Sequence, residues 1–293
     1  MSAVPDTSAA RAMPYAEVIG DPIAHSKSPI IHAFWLDRLG LPGAYRATHV
    51  LPDMLADYIA ARRSDPAWRG CNVTLPHKKA VMPLLDRVDD VARAIGAVNV
   101  VVPEDGELVG YNSDAAGFLE PLRPLLAERH LFRLVRIIGS GGAARAVAHA
   151  LWGEGFTLIA IARDRDKAAA LVAPFDPGHV HVGALADLAR PTDFAFDDRA
   201  GILDLVVNAT SLGMTGKPPL DLDWSHVPPG AVIYDLVYAP LDTPLLVAAR
   251  AHGHQAIDGL DMLIGQAAMA FEKFYGARPP RGEDGDLRAL LLA

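Results

Sequence analysis

The sequence predicts an α/β protein of two domains, on three observations. Short apolar runs alternate with stretches of helical spacing, the pattern of a mostly parallel sheet flanked by helices. The alternation stops and then restarts near Leu134, so two such series follow one another. The 293 residues suit one large or two modest domains and can bury a substantial core.

In the first series, residues 16–20 read as a strand ended by Asp21-Pro22. The loop Ala24-His25-Ser26-Lys27-Ser28-Pro29 leads into a helix over 30–39 that stops at Gly40. Residues 45–50 read as a strand, 54–63 as a helix and 70–74 as a third strand. Thr74 can cap a helix over 78–85, with Pro76 in its first turn and Pro83 weakening it. Residues 97–102 form another strand, turned at Glu104-Asp105-Gly106 into 108–110.

In the second series, 134–138 is an apolar strand interrupted only by Arg136. A helix over 145–153, a strand over 157–162 and a helix over 167–172 follow. Residues 203–208 and 231–236 are two more strands, and 262–275 is helical. The stretch 173–198, rich in Pro, Asp and His, reads as loops and short elements.

Composition excludes several functions. The chain is 51% apolar and 21% charged, ordinary for a globular protein. With 27 basic against 35 acidic residues the net charge is −8, which argues against nucleic-acid or anionic-membrane binding as the main task. An anionic ligand must then be held by local positive groups. Cys71 is the only cysteine, so no internal disulfide forms. No apolar run approaches the ~18 residues that span a bilayer. Residues 1–12 lack the apolar core of a signal peptide and read as a frayed tail on a cytoplasmic protein. The tight histidine pairs, His179/His181 near Asp176 and His252/His254 near Asp258, match no zinc spacing, so no metal is expected.

Gly139-Ser140-Gly141-Gly142-Ala143-Ala144 has the form G-x-G-x-x-A and lies directly between an apolar strand and a helix. That context is what a Rossmann-type dinucleotide site needs. The first glycine makes the turn, the second admits a pyrophosphate to the backbone, and Ala144 allows close helix–strand packing. After the next strand comes Ala162-Arg163-Asp164-Arg165-Asp166-Lys167. Arg163 suits a 2′-phosphate, which favours NADP. Asp164 could repel that phosphate or take a ribose hydroxyl, which keeps NAD possible.

Two further segments carry proton chemistry. Asn72-Val73-Thr74-Leu75-Pro76-His77-Lys78 aims an ammonium from a helix start, where the macrodipole disfavours a cation. Gly110-Tyr111-Asn112-Ser113-Asp114 presents an acid at an element boundary. A lysine and an aspartate brought together can move a proton and stabilise an alkoxide. In the first loop, Ser26 and Ser28 alternate. If the loop is extended, both hydroxyls point to one side and can bind a carboxylate or diol. Taken singly, each of these residues is also a common helix cap or surface group.

Together these segments resemble the shikimate dehydrogenase family over 18–274. Gly20 to Pro29 is similar to its substrate-carboxylate loop, which implies Ser26 and Ser28 on the carboxylate. Asn72 to Lys78 resembles its N-V-T-x-P-x-K segment, which implies Lys78 as the catalytic lysine and Thr74 on a substrate hydroxyl. Gly96-Ala97-Val98-Asn99 resembles its G-A-V-N, with Asn99 on the ring hydroxyls, and Asn112-Ser113-Asp114 its N-T-D, with Asp114 the partner of the lysine. Asn208 to Met214 and Tyr234 to Tyr238 resemble the cofactor-domain motifs, which adds Thr210 at the cofactor and Tyr238 near the substrate. Gly259 to Ala268 resembles the closing segment, with Gly259 toward the cofactor and Gln266 on the substrate. The family's N-R-T reads Ala162-Arg163-Asp164 here, with Lys167 at its further basic position. His77 carries no assigned role.

The resemblance implies a substrate-binding catalytic domain over 1–113 plus 259–293 and an NADP-binding Rossmann domain over 114–258. It implies reversible NADPH-dependent reduction of 3-dehydroshikimate to shikimate without a metal, in a monomer or homodimer. The rivals are an NAD-linked quinate/shikimate dehydrogenase and a non-catalytic NADP-binding protein.

Overall fold

The computed structural model describes residues 13–185 and 201–293. The first half of the chain runs β1 (Tyr15–Gly20), α1 (Ser28–Leu39), β2 (Ala44–His49), α2 (Leu55–Arg63), β3 (Trp68–Val73), α3 (His77–Ala80), β4 (Arg87–Val88), α4 (Asp90–Ile95), β5 (Val100–Glu104), β6 (Glu107–Tyr111), α5 (Asp114–Leu119) and α6 (Arg123–Ala127). The second half runs β7 (Phe132–Ile138), α7 (Gly142–Gly153), β8 (Thr157–Ala162), α8 (Arg165–Val172), β9 (Val180–Ala184), β10 (Ile202–Asn208), β11 (Val232–Asp235), α9 (Pro244–Ala251), β12 (Gln255–Ile257), α10 (Gly259–Tyr275) and α11 (Asp284–Leu292). These elements form two compact units. The first lies within Met1–Asp89, Val98–Tyr111 and Ala270–Ala293, the second within Asp90–Ala97 and Asn112–Met269.

The first unit is a six-stranded sheet in the order β2-β1-β3-β5-β6-β4. β1 pairs parallel with β2 and β3, whereas β5 is antiparallel to β3 and β6. The antiparallel step comes from the hairpin at Asp105-Gly106, whose φ values of 50° and 86° are those of a tight primed turn. Along β1, Ala16 and Val18 pack with Ile23, Tyr45, Val100, Val102, Ala270 and Phe274. Glu17 lies between them in sequence and is fully buried. It accepts hydrogen bonds from Arg46, Thr48, Tyr58 and Arg62 at 2.6–2.9 Å. Burial alone would raise its carboxyl, but hydrogen bonds led by Arg62 outweigh that and hold it at about 2.

The helix expected over 78–85 is shorter than its spacing suggested. α3 ends at Ala80, and Met82–Leu84 is a separate 3-10 turn built around Pro83. Thr74 does not cap it: the residue before the helix is Pro76, and no side chain accepts there. Instead the Thr74 carbonyl accepts from His77 N at 2.9 Å.

The second unit is a six-stranded sheet in the order β12-β11-β10-β7-β8-β9, parallel throughout. Counted from β7, this is the 3-2-1-4-5-6 order of a doubly wound dinucleotide-binding sheet, with its switch point between β7 and β10. Arg136, the buried charge in β7, pairs with buried Asp204 of β10 at 2.5 Å. β9 is one of the short elements in the stretch read as loops and short elements, and the 186–198 part of that stretch falls outside the described residues, as does the 1–12 tail. α9 and β12 were not foreseen, although Thr243-Pro244 carries a start signal, with Thr243 Oγ1 accepting from Leu246 N at 3.3 Å.

Candidate active-site residues

In the first unit the named residues gather at the carboxyl ends of β1 and β3. Thr74 N donates to Ile19 O at 2.9 Å, and Asp21 N to Leu75 O at 3.0 Å, so the chain leaving β3 lies against the chain leaving β1. Val73 N donates to Asn99 O at 2.8 Å, and Val98 N to Lys78 O at 2.8 Å. Four backbone bonds thus hold Thr74, Lys78 and Asn99 beside one another. Asn99 is buried, whereas Thr74 and Lys78 are half-buried.

Three residues that sequence reasoning left without a role support this edge. His77 is buried, and its Nε2–H donates to Val50 O at 2.7 Å, which fixes the one-turn helix that carries Lys78. Asn72 donates to Asn99 O at 3.3 Å and accepts from Tyr45 OH at 2.6 Å. Tyr45 also hydrogen-bonds Ser28, and its ring stacks on His32 at 3.8 Å. His32 is fully buried, which holds its imidazole down at about 3, so it stays neutral. Asn72 and His77 sit inside a quoted motif and Tyr45 in β2, but none shows a periodicity that separates a supporting side chain from a core one.

Ser26 and Ser28 are brought together, though not by an extended loop. Lys27 between them has φ −86° and ψ −5°, a helical conformation, and opens α1. Ser26 Oγ accepts from Ser28 N at 3.3 Å, a local turn that sets the two hydroxyl-bearing residues side by side.

In the second unit, Asp114 is buried and is the first residue of α5. Ser113 is the N-cap residue of that helix, but its first amides are covered by the side chain of Asn112, whose Oδ1 accepts from Asp114 N at 3.0 Å and Ala115 N at 3.4 Å while its Nδ2 donates to Ala97 O at 2.9 Å. Asp114 is therefore not serving as the cap that its position in the sequence also allowed. Gln266 lies half-buried on α10, whose backbone meets α5 at Gly117. Tyr238 is half-buried, and burial raises its phenol, so it is a neutral hydroxyl at ordinary pH.

The glycine-rich loop leaves β7 at the switch point. Gly139 has φ 126°, and a Cβ there would sit 2.8 Å from Ala209 O, so only glycine fits. Gly141 precedes α7, and a Cβ on it would meet nothing within 4 Å. Ser140 completes the loop, Gly142 and Ala143 open the first turn of α7, and Ala144 is fully buried. An open approach to backbone at a twelve-residue helix start fits a dinucleotide pyrophosphate. Arg163 is exposed just past β8. Asp164 is the N-cap of α8, accepting from Asp166 N at 3.0 Å and Lys167 N at 3.3 Å, with the Lys167 ammonium 3.5 Å away. Its carboxylate thus faces a helix start and a lysine.

Two residues expected at the cofactor have structural duties. The Thr210 hydroxyl donates to Asn208 Oδ1 at 2.7 Å and accepts from Leu212 N at 3.0 Å. A Cβ on Gly259 would lie 2.3 Å from Leu236 O, so glycine lets α10 start against the end of β11. Asn208 also donates to Asp235 at 2.9 Å, and Thr243 donates to it at 2.7 Å. Burial raises the Asp235 carboxyl, and these hydrogen bonds oppose the rise. Among the described residues no cluster of three His, Cys, Asp or Glu could hold a metal, and no helix is long and apolar enough to cross a membrane. His252 and His254 lie against Trp224, at 5.0 and 5.6 Å between ring centres.

Comparison with known proteins agrees with this architecture. Residues 18–101 match the shikimate dehydrogenase substrate binding domain. A shikimate dehydrogenase (NADP(+)) of Sphingopyxis alaskensis is 54% identical over 284 residues, covering 96% of this chain and 98% of that protein. One of Paramagnetospirillum magneticum is 44% identical, covering 95% and 98%. The crystal structure of shikimate 5-dehydrogenase from Thermus thermophilus in complex with NADP(H) and shikimate superposes with a TM-score of 0.80 at 37% identity, covering 94% of this chain and 99% of that one. With identity this high along almost its whole length, the chain belongs to the shikimate dehydrogenase family.

Proposed function

We propose that this protein catalyses the reversible NADPH-dependent reduction of 3-dehydroshikimate to shikimate, a step toward aromatic amino acids. The observation that carries the reading is the gathering of Thr74, Lys78 and Asn99 at one strand edge, in a chain whose near relatives are named NADP-dependent shikimate dehydrogenases. The first unit is assigned to the substrate and the parallel sheet of the second to the cofactor.

The nicotinamide cofactor supplies hydride when bound. The Gly139 to Ala143 segment is assigned its pyrophosphate and Arg163 its 2′-phosphate. Ser26 and Ser28 are assigned the substrate carboxylate, and Thr74, Asn99, Gln266 and Tyr238 its ring. Lys78 is assigned the ketone oxygen: its ammonium stabilises the negative charge that develops there and gives up the proton that makes the hydroxyl. Asp114 is assigned the tuning of that lysine. Thr210 and Gly259 act on the cofactor by shaping backbone rather than through side chains.

NADP is preferred to NAD because the Asp164 charge is matched by the α8 start and by Lys167, leaving Arg163 to the phosphate. The purified protein should turn over shikimate with NADP⁺ at the highest kcat/KM of a panel that crosses shikimate and quinate with NADP⁺ and NAD⁺. Faster turnover of quinate with NAD⁺ would establish the paralogue reading instead, and cofactor binding without turnover would establish the non-catalytic one.

A further inference from the structure

We infer that Lys27 is a positioning residue that ties the substrate-carboxylate loop to the C-terminal helix α11, and not a ligand of the carboxylate. This rests on the substrate loop assigned above. Lys27 is the one cation between Ser26 and Ser28, so a direct ion pair with an anionic substrate is the obvious expectation from sequence. Its ammonium instead donates to the Leu291 carbonyl, across 264 residues of chain.

The acceptor suits a lysine. Leu291 is in the last turn of α11, where carbonyls have no partner within the helix and the dipole is negative. α11 itself is firmly seated. Leu287 and Leu291 are buried, and Arg38 of α1 reaches Glu283 at 3.1 Å and Asp286 at 3.6 Å. The backbone of Lys27 is also committed, because its carbonyl accepts from Ile30 N at 3.1 Å and Ile31 N at 3.2 Å. One residue therefore joins three things: the start of α1, the turn that pairs Ser26 with Ser28, and the end of α11. Its charge serves the helix end, which leaves the substrate carboxylate to uncharged donors.

Kinetics and hydrogen exchange of Lys27→Met and Lys27→Arg test this. Lys27→Met should raise the KM for shikimate about tenfold, the scale of one lost charge-assisted hydrogen bond, with kcat within about twofold and the NADP⁺ KM unchanged. In the free protein, amides of both 22–33 and 284–293 should exchange faster in that variant. Lys27→Arg, which can still donate to a carbonyl, should restore most of both effects. A raised KM with unchanged exchange in the free protein would show Lys27 to be a direct ligand and overturn the inference. An unchanged KM in a protein that turns over shikimate would overturn it as well. A parent protein with no shikimate turnover would instead sink the proposed function, and the exchange measurement would still decide whether Lys27 ties the loop to α11.

Discussion

A Cβ atom on Gly117 would lie 2.5 Å from the backbone nitrogen of Gln266. The contact is reciprocal, since a Cβ on Gly265 would lie 3.1 Å from Gly117 Cα. α5 and α10 therefore cross backbone to backbone, one turn along from Asp114 and directly at Gln266. Gly117→Ala forces the helices apart. It should cost roughly 1–3 kcal/mol, as overpacking does, and also lower kcat/KM for shikimate. Thermal unfolding together with steady-state kinetics checks both, and a variant that loses stability alone would separate this crossing from catalysis.

The proposed place of Lys78 is at the oxygen where negative charge builds, so its loss should depress kcat far more than binding. Lys78→Ala should lose at least ~10³-fold in kcat while still binding NADP⁺. Lys79 is exposed, and one helical step turns it about 100° away, so Lys79→Ala should be nearly neutral. Asp114→Asn should be slow, and the double variant should lose much less than the product of the singles. Strictly multiplicative losses would defeat the pair.

The proposed cofactor choice rests on Arg163. Arg163→Ala should weaken NADP⁺ binding by roughly 1.5–3 kcal/mol and leave NAD⁺ binding almost unchanged. Equal losses would remove the phosphate-clamp role. Asp164→Thr keeps an N-cap, so it should preserve stability, and it should shift preference further toward NADP⁺ only if the aspartate opposes the phosphate. Asp164→Ala should instead cost about 0.5–2 kcal/mol in stability. Calorimetric titration with both cofactors and melting curves separate these effects.

Deleting either loop hydroxyl should act on substrate alone. Ser26→Ala and Ser28→Ala should each raise the KM for shikimate by the equivalent of roughly 1 kcal/mol or more, with the cofactor KM nearly unchanged. Lower thermal stability at an unchanged KM would make these serines caps.

Glu17 sets an acid limit. Its carboxyl lies at about 2 when folded against an ordinary 4.5. The native state therefore binds fewer protons, and the stability it contributes is present above pH 4.5 and lost as pH falls toward 2. A shift of that size corresponds to about 3 kcal/mol. Glu17→Gln should be destabilised at neutral pH, and its urea midpoint should fall less between pH 5 and pH 2.5 than that of the parent. Parallel pH profiles would show that Glu17 is not the group responsible.

The sequence by itself determined the two α/β series, most of the longer strands and helices, the glycine loop after β7 and the candidate residues to which chemistry is assigned. These are local properties: apolar periodicity, start and stop residues, and motifs a few residues long. It did not reveal β12, only three residues long, because so short a segment shows no period. It did not place β9 either, whose residues lie between half-buried and exposed and so carry little apolar signal. Tertiary structure decided which partner each polar group takes. Thr74 and Asp114 each had the sequence of a cap, yet α3 has no side-chain cap and the Asn112 side chain covers the first amides of α5. Asp164 read as repelling a phosphate or taking a ribose hydroxyl, and it is a helix cap. Lys27 lies between the two loop serines in sequence and reaches Leu291. The Asn112 and Asp164 bonds close within three residues, so the exact helix start decided them, whereas the Lys27 bond depends on packing that brings backbone 264 residues away within hydrogen-bond reach, which no local pattern encodes.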